Sequence, residues 1–172
     1  GHITFESEYG KGTRFIADIW QGIGEKEESP EKEEVIQYDE GVEICPGKIL
    51  IVDDNDLNCD VAKGILSSMG MDATAVHSAR ECITLLEGRI YDIIFMDHMM
   101  PEMDGVEALH AIRKMGGEVS QLPIVLLTAN AVSGVKEEMI EEGFDAFLSK
   151  PIDIDELRNV LIRYLGVRRM DS

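Results

Sequence analysis

Positive charge is scarce in this chain: 16 Lys and Arg face 34 Asp and Glu over 172 residues, a formal charge of -18. The shortage excludes non-specific binding to nucleic acid or to an anionic membrane surface, since both need a positive footprint. A cationic partner or a bound metal ion fits such a chain better. Cysteine is sparse as well. Cys45, Cys59 and Cys82 form an odd, scattered set without metal-ligand spacing, so reduced thiols in a cytosolic protein are expected. Long apolar runs are missing too. None approaches the ~18 residues needed to cross a bilayer, and no signal peptide opens the chain. The expectation is a cytoplasmic fragment without direct membrane contact of its own, even where a longer parent is membrane-anchored.

What is present suits one globular domain of about 100 to 150 residues plus an appendage. Hydrophobic residues make up 44% of the chain and charged residues 29%. Between residues 22 and 46 the composition turns to Glu and Lys, with a proline and few large apolar side chains, which reads as an acidic linker. From Lys48 onward short apolar runs recur: KILIV (Lys48 to Val52), DATAV (Asp72 to Val76), DIIFM (Asp92 to Met96), PIVLLT (Pro123 to Thr128) and AFL (Ala146 to Leu148). Runs this continuous suggest strands covered on both faces, as in a parallel sheet.

Helical spacing fills the gaps. Val61, Ile65, Leu66 and Met69 form a stripe ended by Gly70, and Ile83, Leu85 and Leu86 follow a capping-box pattern from Ser78 to Glu81. Val106, Leu109 and Ile112 continue after Gly105; Val135, Met139 and Ile140 precede Gly143; Asp153 and Glu156 open a last helix with the same capping spacing. Strand then helix, five times over, predicts an α/β fold with a doubly wound parallel sheet and helices on both faces. Ligands in such sheets bind beyond the carboxyl ends of the strands.

That rule gathers distant residues. Asp53 and Asp54 follow the first strand of the repeat, Asp97 ends the third, Thr128 ends the fourth, and Lys150 follows the fifth. Converging carboxylates repel by about 4 kcal/mol per close pair at an effective dielectric near 20, so a polyvalent counterion is expected. Oxygen-only ligands suit Mg²⁺, with Mn²⁺ as a substitute. A lysine ammonium and a threonine hydroxyl nearby suit phosphoryl oxygens. Asp97, alone at a central strand tip, is the nucleophile candidate, and the Asp53 and Asp54 pair is better placed to hold metal. Taken singly, each residue has a plainer role as a cap, turn or surface group. His98 reads as a solvated loop residue. It is the joint placement that points to one site.

Residues 47–167 resemble a response-regulator receiver domain. VDDN (Val52 to Asn55) is similar to that family's acidic pair, MDHMMPEMDG (Met96 to Gly105) to its phosphoacceptor loop, LTAN (Leu127 to Asn130) to its switch threonine, and KP (Lys150, Pro151) to its lysine and proline. The resemblance implies a flavodoxin-like sheet of strand order 2-1-3-4-5. It implies Asp97 as phosphoacceptor and Mg²⁺ held by Asp53, Asp54, Asp97 and the backbone carbonyl of Met99. Lys150 and Thr128 would bind the phosphoryl group, and Thr128 with Phe147 would form the switch. Pro101 and Gly105 would shape the loop, Pro151 would follow a cis peptide bond, and Met99 and Asn130 would tune the phosphoryl lifetime. Implied partners are a phosphohistidine of a histidine kinase as donor, in cis or in trans, and a histidine-phosphotransfer protein as acceptor.

Residues 1–21 read as two alternating strands joined at Gly10 and Gly12. They resemble the last strand pair of a histidine-kinase ATPase domain, which implies a hybrid sensor kinase of bacterial type as parent. The kinase's ATP-binding boxes are absent, so the fragment is expected to accept phosphate rather than to act as a kinase. A tail, 168–172, follows the receiver. Two other readings compete. Asp54 and Asp56 make a D-x-D at a strand end, as in haloacid-dehalogenase-type phosphatases, but Asn58 stands where that family has Thr or Val and the Asp97 loop is left unexplained. A phosphorylation-independent interaction module need keep none of the five strand-end residues.

Overall fold

The computed structural model describes residues 2–8, 12–18, 42–129 and 135–169. The chain divides into two compact units, Gly1–Val35 and Ile36–Ser172. In the first, β1 (His2–Glu8) and β2 (Gly12–Asp18) pair antiparallel, with Phe5 opposite Phe15 and Glu6 opposite Arg14. The turn residue Gly10 and most of the acidic linker, 22–41, lie outside the described residues, as does Asn130.

The second unit follows the alternation in the sequence. After β3 (Val42–Ile44) come β4 (Lys48–Val52), α1 (Asp56–Ser68), β5 (Asp72–Val76), α2 (Ala79–Leu86), β6 (Ile93–Asp97) and α3 (Gly105–Lys114). Then follow β7 (Ile124–Thr128), α4 (Val135–Glu142), β8 (Ala146–Ser149), α5 (Ile154–Leu165) and β9 (Val167–Arg169). The main sheet has order β5-β4-β6-β7-β8 and is parallel throughout. This is the expected order 2-1-3-4-5, counted over the five strands of the repeat.

Continuous apolar strands are used on both faces. Leu50, Val52, Ile94, Met96, Ile124 and Leu126 pack with Ala79, Cys82 and Leu86 of α2 and with Ala108, Leu109 and Ile112 of α3. The alternate residues Ile49, Ile51, Ile93, Phe95, Val125 and Leu127 pack with Cys59, Ala62 and Leu66 of α1 and Leu157, Val160 and Leu161 of α5. Each fully buried aliphatic side chain contributes about 1.5–3 kcal/mol, which makes this double layer the main support of the strand tips. No helix of the described residues is long and apolar enough to cross a membrane.

Four details differ from the sequence expectation. Val61, assigned to the buried stripe of α1, is 51% exposed, because Cys59, Ala62 and Leu66 fill the inner face instead. Ser78 accepts from the Glu81 N–H, but the Glu81 carboxylate reaches past the cap to the N–H of His77. Asp153 caps α5 through the N–H groups of Asp155 and Glu156, and the full capping box is at Asp104 and Glu107 of α3. Lastly, the ends of the unit are joined: Val42–Ile44, placed in the linker, pairs antiparallel with Val167–Arg169, which reaches into the presumed tail. Arg168 donates twice to one Glu43 oxygen, at 3.2 and 2.9 Å, and the Cys45 N–H donates to the Gly166 carbonyl at 3.1 Å.

Candidate phosphoryl and cation site

The strands β4, β6, β7 and β8 each carry one of the candidate site residues at or just beyond the carboxyl end. Beyond β4, Asp53 is 1% exposed while Asp54 faces solvent. The Asp53 N–H donates to Val76 of the neighbouring β5, which continues the ladder one residue past the strand. Its Oδ1 accepts the Asn55 N–H at 2.9 Å, and Asn55 caps α1 by accepting from Leu57 and Asn58. One turn of chain thus fixes an acid and starts a helix.

At the end of β6 the buried Asp97 is followed by a loop that closes on itself. The Gly105 N–H donates to the His98 carbonyl at 3.0 Å, and His98 donates its N–H to Leu127. A Cβ on Gly105 would lie 2.5 Å from the Asp97 carbonyl oxygen, so the closure requires glycine. Glu102, next to Pro101, takes the left-handed region at φ 65. The Met99 side chain is exposed and His98 is half-buried. Thr128, at the tip of β7, is buried, and its carbonyl accepts the Lys150 N–H at 2.8 Å. Phe147, on β8, packs half-buried against the first core layer. The Lys150–Pro151 peptide bond is cis.

Lys150 closes the site. Its Nζ donates to Asp53 Oδ2 at 2.6 Å and to Asp97 Oδ1 at 2.7 Å, bridging residues 97 and 53 positions away in sequence. Burial pulls the lysine toward neutrality, but hydrogen bonds to both carboxylates outweigh it and raise its pKa. Burial raises the Asp97 pKa, and the bond to Lys150 offsets only part of that rise. One ammonium is therefore shared between two acids, and the local charge remains negative.

Asp53, Asp54 and Asp97 each present a carboxylate oxygen such that the three oxygens lie within 4.8 Å of one another. The donor set is all oxygen, with one solvent-facing acid, which fits a hard divalent cation such as Mg²⁺ that keeps several of its waters. The structure brings together Asp53, Asp54, Asp97 and Lys150. Thr128 is tied to them through the backbone of Lys150, and Phe147 lies deeper on β8.

Sequence reasoning missed Asn58. Its Nδ2 donates to both Asp53 oxygens, at 3.1 and 3.2 Å. The signal was available: Asn58 is the third residue of a helix capped by Asn55, a position from which a side chain reaches back over the cap.

Fold and site define a class: a doubly wound parallel sheet with an acidic, lysine-bridged cleft at its carboxyl edge. The chain belongs to the response regulator receiver domain family, whose model matches residues 49–162. It is 35% identical over 122 residues to the sensor protein GacS of Pseudomonas syringae pv. syringae, a match covering 70% of this chain and 14% of that protein. It is 32% identical over 162 residues to histidine kinase 5 of Arabidopsis thaliana, covering 80% of this chain and 18% of the relative. The chain thus spans less than a fifth of these curated relatives. Among solved structures, it is similar to the receiver domain of a sensor histidine kinase from Pseudomonas aeruginosa, determined with magnesium in the active-site cleft. That likeness has a TM-score of 0.64 at 35% identity, covering 70% of this chain and 98% of the other. The chemotaxis protein CheY4 of Vibrio cholerae matches with TM-score 0.63 at 28% identity, covering 69% of this chain and 98% of the other. Residues 49–162 are accordingly a receiver domain of two-component phosphorelay signalling.

Proposed function

We propose that Asp97 is the phosphoacceptor and that it takes its phosphoryl group from a phosphohistidine. The observation that carries this reading is the Lys150 bridge to Asp53 and Asp97 beside a third carboxylate. An Asp97 oxygen attacks phosphorus in line, the N–P bond breaks with its electron pair left on the imidazole, and that nitrogen takes a proton from water. Asp97 becomes an acyl phosphate.

The chain's own groups prepare this step. Lys150 orients Asp97 and favours its ionised form, then turns its Nζ from the carboxylates to a phosphoryl oxygen. The Thr128 hydroxyl donates to another. Asp53, Asp54, Asp97 and the Met99 carbonyl would hold Mg²⁺, or Mn²⁺ in its place. When bound, the cation supplies positive charge to the phosphoryl oxygens. Pro101 and Gly105 shape the loop that presents Asp97, and Pro151 sets the direction in which Lys150 leaves β8. Drawing Thr128 toward the phosphoryl group shifts the populations of the β8 and α4 face through Phe147.

The relatives bear the names of sensor proteins and histidine kinases, which supports a hybrid sensor kinase as parent, with residues 1–21 as the last strand pair of its ATPase domain. The donor is then that kinase's own phosphohistidine, in cis or in trans, and the acceptor a histidine-phosphotransfer protein. The fragment itself turns over no substrate as a kinase. Mixing it with a radiolabelled phosphohistidine donor and Mg²⁺ tests the reading. Label should move to the wild-type chain and not to Asp97→Asn; transfer to both would remove Asp97 from the role.

A further inference from the structure

Asn58 stands outside the residues that hold the cation or the phosphoryl group, yet it touches both oxygens of Asp53. Its Nδ2 lies 3.1 Å from Oδ1 and 3.2 Å from Oδ2. The other donors each bind one oxygen: the Asn55 N–H bonds Oδ1 at 2.9 Å and Lys150 Nζ bonds Oδ2 at 2.6 Å. A donor on a single oxygen lets a carboxylate turn about its last side-chain bond. A donor astride both oxygens fixes the plane.

We infer that Asn58 is a positioning residue that sets the Asp53 carboxylate for the divalent cation. The inference rests on the cation and phosphoryl reading of the site. Lys150 has two tasks there, since it holds Asp53 and also turns to the incoming phosphoryl group. When it turns, Asp53 loses its charged partner on Oδ2, and Asn58 keeps the carboxylate in place. An amide suits this task because it donates without adding a positive charge that would compete with the cation. Hydrogen-bonded supports of this kind commonly tune metal affinity about 10- to 100-fold.

A plain helix-stabilising role is the competing explanation. Asn58 is half-buried on the first turn of α1 and its own N–H already donates to the Asn55 cap at 3.4 Å. Alanine is the better helix former at such a position, so Asn58→Ala removes the side-chain donor without weakening the helix's intrinsic preference.

The test is calorimetric titration of the whole chain with MgCl2 at fixed ionic strength, for wild type, Asn58→Ala and Asn58→Leu, with urea unfolding in parallel to confirm that the titrated protein is folded. Both variants should bind Mg²⁺ about tenfold more weakly, a change that a purely structural role would not produce in folded protein. Wild-type affinity in both variants overturns the inference and leaves the cation reading standing. No Mg²⁺ binding by the wild-type chain overturns both.

Discussion

Replacing Lys150 by methionine removes one charge and keeps much of the side chain's volume. Two carboxylates, Asp53 and Asp97, then lose the ammonium that lies 2.6 and 2.7 Å away. Each close pair of unit charges is worth about 4 kcal/mol gross at an effective dielectric near 20. Truncating one partner of a buried pair costs about 3–5 kcal/mol net. The Lys150 side chain is 20% exposed and the Asp97 side chain 11%, so water reaches the cleft and the lower end applies. We expect Lys150→Met to lose about 3 kcal/mol in urea unfolding without divalent cation. Mg²⁺ should return more of that loss to the variant than it adds to wild type, because a cation then replaces the missing charge. Unfolding of both proteins with and without millimolar MgCl2 decides the matter. A metal-free variant as stable as wild type, or equal Mg²⁺ increments in the two, would refute the view of Lys150 as the counter-charge of this cleft.

The same pair has a pH signature. The native state raises the pKa of Lys150, chiefly through bonds to Asp53 and Asp97 that overcome burial. Its contribution to stability is therefore full below the ordinary lysine value and is lost as pH rises through the raised one; Lys150→Met should lack this alkaline loss in urea midpoints taken across that range. Burial likewise raises the Asp97 pKa in the metal-free protein. Its contribution is full below the ordinary aspartate value and is lost as pH rises from there through the raised one, so Asp97→Asn should flatten the profile above the ordinary value. Gly105→Ala should cost about 1–3 kcal/mol, because its Cβ would meet the Asp97 carbonyl at 2.5 Å, and the loss should appear as a lower urea midpoint. Burial pushes the Cys59 thiol up to about 11 and the Cys82 thiol up to about 12. At pH 8 Cys45, which is half-buried, should react first with iodoacetamide, while the other two become reactive only on unfolding; mass mapping of the alkylated peptides would show the order.

The fold was readable because the sheet is buried on both faces. Runs such as KILIV and IVLLT need no polar face, and their separation by helical stretches leaves a parallel, doubly wound sheet as the economical arrangement. The strand-end rule alone gathers Asp53, Asp54, Asp97 and Lys150 into one site. What escaped has physical reasons. Val61 is apolar, and periodicity alone could not tell it from a core residue; it lies 51% exposed near Leu57, itself 70% exposed. The strand Val42–Ile44 has only three residues inside an acidic stretch, and its partner lies beyond α5, so neither end signals the pairing. In the sequence Asn58 bears on the phosphatase motif, and nothing there marks it as a donor to Asp53 in particular. Its role depends on where the first helical turn aims an amide, and only the fold shows that.

The central claim, that Asp97 receives the phosphoryl group, is tested most directly by intact-mass measurement after incubation with acetyl phosphate and Mg²⁺. The wild-type chain should gain the mass of one phosphoryl group as an acid-resistant, base-labile adduct, and chelation of Mg²⁺ should prevent it. Asp97→Ala should gain nothing under the same conditions. An adduct of equal yield in Asp97→Ala would contradict the account.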